Sequence, residues 1–84
     1  MTTKDDIKRW FQQGEDEEAL FMLVICDTYD HTDYPVYCFT EEDCWEKYYN
    51  PGNMARVMEV YDLTIDIEEQ LSERRCFNLP KEEK

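Results

Sequence analysis

Leu20-Phe21-Met22-Leu23-Val24-Ile25-Cys26 is the stretch that decides the fold of this chain. It is apolar without interruption and includes β-branched residues, so it reads as a strand buried on both faces. A strand with no polar face belongs in the middle of a sheet with cover on both sides. Thr28 to Asp33 follows as a polar turn, and Tyr34-Pro35-Val36-Tyr37-Cys38-Phe39 reads as a second strand. Pro35 sits at its entrance, where the missing N–H is tolerated. A hairpin centred on Thr32 would set Cys26 opposite Cys38, as two small thiols packed in a reduced core.

Thr3 is an N-cap with Asp6 at the third helical position, and Ile7, Trp10 and Phe11 recur at helical spacing. Gly14 reads as the stop of a helix over Lys4 to Gln13. Glu15-Asp16-Glu17-Glu18 is either a solvated loop or a last helical turn. Thr40, with Asp43 three residues on, opens a second helix over Glu41 to Tyr49, which Asn50-Pro51-Gly52 ends.

Asn53 to Leu63 fits two descriptions. Met54, Val57, Met58 and Tyr61 match a helix face, whereas Val57, Met58, Val60, Tyr61 and Leu63 have strand composition. A third strand is favoured, because a lone hairpin is rarely stable. Asp66, with Glu69 as box partner, is expected to cap a last helix from Ile67 to about Cys76, with Arg74 and Arg75 near its C-terminal end. The order α-β-β-α-β-α describes a small α+β domain, a mainly antiparallel three-stranded sheet with helices packed on it. It is expected to span residues 1–79, with 80–84 a frayed tail.

Of the 84 residues, 21 are Asp or Glu and 9 are Lys or Arg, for a net charge of −12. A surface so charged repels nucleic acid and anionic membranes and attracts basic protein surfaces. Self-repulsion at this level destabilises the compact state. The magnitude exceeds the range of about 2 to 8 that suffices for solubility. The 14% aromatic content excludes a disordered acidic tail. No stretch resembles a signal peptide or approaches the roughly 20 apolar residues of a membrane span. Cys26, Cys38, Cys44 and Cys76 are therefore expected as reduced thiols in a cytoplasm, and none forms a C-x-x-C pair.

Asp27, Asp30, His31 and Asp33 share one loop, but their spacing is wrong for a calcium loop, and turn-forming Asp explains them. No nucleophile motif, phosphate-cradling glycine loop or zinc motif is present. The expectation is a non-enzyme without metal or cofactor.

Aromatic residues exceed what so small a core must hide. Tyr29, Tyr34 and Tyr37 flank the acidic loop, and Trp45, Tyr48 and Tyr49 lie on the acidic second helix. Tyrosines rimmed by carboxylates suit an Arg- and Lys-rich partner. The expected contact residues are Asp27, Tyr29, Asp30, Asp33, Tyr34, Tyr37, Glu41, Glu42 and Asp43, with Glu15 to Glu18 extending the stripe.

The segments Cys26-Asp27-Thr28-Tyr29-Asp30-His31-Thr32-Asp33-Tyr34-Pro35-Val36-Tyr37 and Asn53-Met54-Ala55-Arg56-Val57-Met58-Glu59-Val60-Tyr61-Asp62-Leu63, with Glu68-Glu69-Gln70-Leu71 after them, resemble small acidic proteins of bacteriophages and mobile elements. The resemblance implies origin more than activity. Such proteins are often anti-defence inhibitors, including anti-CRISPR and anti-restriction proteins acting in the cytoplasm of the host bacterium. The expectation is an inhibitor that docks on the basic surface of a nucleic-acid-processing host protein, a CRISPR effector or restriction nuclease, without binding nucleic acid itself. The alternative is a sponge for a nucleotide immune signal, using Arg56, Arg74 and Arg75 for phosphates across a homodimer boundary. Exposed apolar residues could equally serve a homodimer.

Overall fold

β1 (Phe21–Asp27) is the central strand of a three-stranded antiparallel sheet, with β2 (Thr32–Cys38) on one side and β3 (Ala55–Asp62) on the other. The structure is a computed structural model and describes residues 2–72 and 76–80. Helices α1 (Lys4–Asp16) and α3 (Ile67–Leu71) cover one face, and α2 (Glu41–Tyr49) covers the other. The fold is α+β, in the order α-β-β-α-β-α.

The unbroken apolar run is explained by this double cover. Side chains alternate across a strand. Met22 and Val24 join Ile7, Phe11, Tyr61 and Leu71 on one side of the sheet. Phe21, Leu23 and Ile25 join Cys38, Cys44 and Val60 on the other. Met22, Leu23 and Ile25 are at most 1% exposed, and each such burial is worth about 1.5–3 kcal/mol.

The ambiguous segment is a strand, because β1 has a second edge to pair. Leu23 faces Val60 and Val24 faces Glu59, but Ile25 faces Val57. Met58 is therefore an extra residue, and the strand bulges there.

Both outer edges are covered or blunted. Beyond β3, Val60 N–H donates to the Cys76 carbonyl at 2.7 Å and Asn78 N–H donates to the Val60 carbonyl at 3.0 Å, a short parallel bridge. On β2, Pro35 offers no N–H, and Lys47 Nζ donates to the Tyr37 carbonyl at 3.2 Å. A proline and a lysine are common devices against edge-to-edge pairing.

Several local expectations are corrected. The hairpin register pairs Cys26 with Asp33 and Phe21 with Cys38, so Cys26 does not face Cys38. Cys38 instead shares a core cluster with Cys44 of α2. A hydrogen bond with Cys38 and burial together push the Cys44 thiol well above its ordinary range.

Helix α1 does not stop at Gly14. It continues to Asp16 and closes with Glu18 N–H to the Glu15 carbonyl at 3.0 Å and Ala19 N–H to the Gly14 carbonyl at 3.0 Å. This is a Schellman closure, and Glu18 takes the left-handed position at φ 66° that glycine usually fills. The acidic run is thus the end of α1 and its cap. Gly14 is buried because Tyr37 lies over it. A Cβ at Gly14 would come within 2.7 Å of Tyr37 Cε1 and 2.9 Å of Leu63 Cδ1.

Helix α3 ends at Leu71, and Cys76 belongs to the strand-like bridge rather than the helix. Asp66 precedes α3 without a side-chain capping bond, so the expected box with Glu69 is not formed. Pro80 is buried, although the sequence suggested that it begins a tail. Arg74, Arg75 and residues 81–84 lie outside the described residues.

Candidate functional site

Because β1 is antiparallel to both neighbours, its start and their ends share one end of the sheet. Phe21 is in register with Cys38 on one side and Asp62 on the other. Chain segments far apart in sequence meet there. Leu20 N–H donates to the Cys38 carbonyl at 2.9 Å, and Leu63 N–H donates to the Leu20 carbonyl at 2.9 Å.

The carboxylates carried to this end are Glu15, Asp16, Glu17 and Glu18 from α1 and its cap, Glu41, Glu42 and Asp43 from the start of α2, and Asp62 and Asp66 from the β3–α3 turn. Three exposed apolar side chains lie among them: Leu20 at 36%, Phe39 at 48% and Ile65 at 38%. The α2 acids also complement the helix dipole at their own N-terminus. Thr40 Oγ1 accepts from Asp43 N–H at 3.0 Å, and Asp43 Oδ2 accepts from Phe39 N–H at 3.4 Å. Lys47 is committed to this neighbourhood, 3.3 Å from Asp43 Oδ2.

The other end of the sheet carries the hairpin. Asp27 Oδ1 accepts from Tyr29 N–H at 2.8 Å, and Asp30 Oδ1 accepts from Thr32 N–H at 3.2 Å and Thr32 Oγ1 at 2.8 Å. These are turn-building bonds. Tyr29 is 78% exposed at the tip. Among the described residues no three His, Cys, Asp or Glu side chains converge as metal ligands.

The expected contact residues are therefore not one face. Asp27, Tyr29 and Asp30 are separated from Glu41, Glu42 and Asp43 by the seven residues of β2, about 20 Å of extended chain. Asp33 and Tyr34 point to opposite faces of β2. Asp33 accepts from Thr2 Oγ1 beneath α1, and Tyr34 lies on the α2 side. Tyr37 is not an exposed anchor. It packs against the α1 core, its hydroxyl donates to the Trp10 carbonyl at 2.7 Å, and burial pushes its pKa up.

The described cations are dispersed, and three of them are paired with acids. Lys8 lies 2.7 Å from Glu68 and Arg9 lies 3.1 Å from Asp6. Arg56 stands on β3 opposite Cys26, towards the hairpin end. Trp45 stacks on Tyr49 and meets Tyr48 edge-on along α2, with centroids 5.7 Å and 5.9 Å apart.

Sequence reasoning missed Leu20, Phe39, Ile65, Asp62 and Asp66. The signal that could have found them is the strand order. Once the Leu20–Cys26 run is central and antiparallel to both neighbours, residues 20, 39 and 63 must share an end.

No described helix is long and apolar enough to cross a membrane. No protein-family model, curated protein or solved structure matches this chain.

Proposed function

We propose that this chain is a non-enzymatic binding protein whose acidic end docks on the basic, nucleic-acid-binding surface of another protein. One observation carries the reading: three separate segments bring carboxylates to one end of the sheet, around the exposed Leu20, Phe39 and Ile65. Carboxylates supply long-range attraction to Arg and Lys, and the apolar centre supplies area to bury once contact is made.

Glu18 supports the same reading. A non-glycine residue at φ 66° is strained, and an acid kept at a position that favours glycine points to a use for its charge. In a bacterial host the fitting targets are nucleases of CRISPR or restriction defence, whose nucleic-acid channels are lined with cations. The chain would occupy such a channel in place of phosphates, which makes it an inhibitor.

The test is competition. A nuclease captured by this chain is loaded with fluorescent DNA or RNA, and the chain is titrated in. Release of the nucleic acid that weakens as salt rises is the expected result. Binding without release, or release indifferent to salt, would count against the proposal.

A further inference from the structure

A cavity of about 250 Å³ opens between α1 and the β3–α3 turn at the acidic end. Phe11 and Leu63, 3% and 6% exposed, form its floor, and Ile67 and Ile65 form its apolar wall. Glu15 of α1 and Asp66 of the turn, both exposed, line it from two different elements. Among the described residues neither carboxylate has a hydrogen-bond or ion-pair partner. Asp66 is not used to cap α3, and the salt bridges involve other acids. The turn that carries Ile65 and Asp66 is fixed from below by the buried Gln70, whose Nε2 donates to the carbonyls of Asp62, Ile65 and Asp66 at 2.9, 3.1 and 3.4 Å.

We propose that this cavity is a receptor for one arginine side chain of the partner protein. The inference rests on the docking reading above and gives it an anchor point. An arginine has an apolar stem that suits Phe11 and Ile65, and a flat guanidinium with donors on more than one edge. Two carboxylates from two elements, neither with a partner among the described residues, match that fork better than they match a single ammonium. An anion is excluded by the same two acids, and a purely apolar side chain would leave them desolvated beside it.

The probes are acetyl-arginine-amide, acetyl-lysine-amide and acetyl-leucine-amide, titrated into the full chain and followed by amide NMR shifts. The expected result is saturable shifts from the arginine probe, centred on Glu15 and on Leu63 to Ile67. Binding should be several-fold weaker for lysine and absent for leucine. The Glu15→Gln, Asp66→Asn double variant should lose at least tenfold in affinity while keeping its folded spectrum, since both side chains are exposed. Arginine shifts spread evenly over all carboxylates, or unchanged by the double variant, would overturn the pocket. Failure here, with partner capture still abolished by neutralising Glu17, Glu18, Glu41 and Glu42, removes only the pocket. Arginine binding without any salt-sensitive partner removes the docking reading instead.

Discussion

Gln70 pairs with both backbone groups of Asp62: its Oε1 accepts from the Asp62 N–H at 2.8 Å, and its Nε2 donates to the Asp62 carbonyl at 2.9 Å. The side chain thereby acts as a short strand at the end of β3. Its Oε1 also accepts from Asn78 Nδ2 at 2.8 Å, which ties the last described segment to the same point. Gln70 is 3% exposed, so each of these groups depends on it. Replacing Gln70 with Leu keeps the volume and leaves several part-buried polar groups without their partner. The expected loss is about 2–4 kcal/mol, read by urea unfolding, with raised amide exchange over residues 62–66. A neutral substitution would show that the turn holds itself.

Gly14 lies in the last turn of α1, where alanine would ordinarily gain up to about 1 kcal/mol of helix propensity. The clash with Tyr37 and Leu63 reverses that expectation. Gly14→Ala should destabilise the chain by about 1–3 kcal/mol. Tyr37→Leu should relieve part of the effect in the double variant, because the contact is then removed. Additive losses would deny the contact.

Glu18 predicts the opposite sign. Glu18→Gly removes strain at φ 66°, so the melting temperature should rise, by an equivalent of about 1 kcal/mol. Partner binding should weaken, because one carboxylate of the acidic end is gone. A variant that is more stable and binds equally well would detach Glu18 from function.

Asp6 gives a pH signature. Its carboxylate accepts from Thr3 N–H at 3.1 Å and lies 3.1 Å from Arg9, and these contacts hold its pKa below the ordinary 3.8. A depressed carboxylate contributes stability that is complete above its unfolded value and is lost as pH falls through its folded one. The melting temperature of Asp6→Asn should therefore lie below that of the parent at neutral pH. The gap should narrow only below pH 3.8. A constant gap down to strong acid would show that the charge is not what matters.

What the sequence made legible is what depends on neighbours in the chain. The Leu20–Cys26 run, the Thr3–Asp6 box and the Thr40–Asp43 cap each need only a few consecutive residues, and each appears in the structure. Gly14 was misread because its reason is tertiary. Tyr37, on a strand formed later in the chain, needs the space that a side chain would take. Tyr37 itself looked like a surface tyrosine because nothing local says that Trp10 will offer it a carbonyl. The acidic end was missed for the same reason. Glu17, Glu42 and Asp66 become neighbours only through the antiparallel pairing of β1 with two strands, whereas the hairpin acids, adjacent in sequence, turned out to be building a turn.

The most direct test of the docking claim is quantitative capture from a bacterial lysate with charge-matched variants. One variant carries Glu17→Gln, Glu18→Gln, Glu41→Gln and Glu42→Gln at the acidic end. The other removes as many charges elsewhere, through Asp5→Asn, Asp27→Asn, Asp30→Asn and Glu46→Gln. The parent and the second variant should retain the same nucleic-acid-processing protein at low salt and release it at high salt, while the first variant should not retain it. Equal retention by both variants would show that the acidic end is not needed, and equal loss would show that net charge rather than the acidic end governs binding; either result would overturn the docking claim.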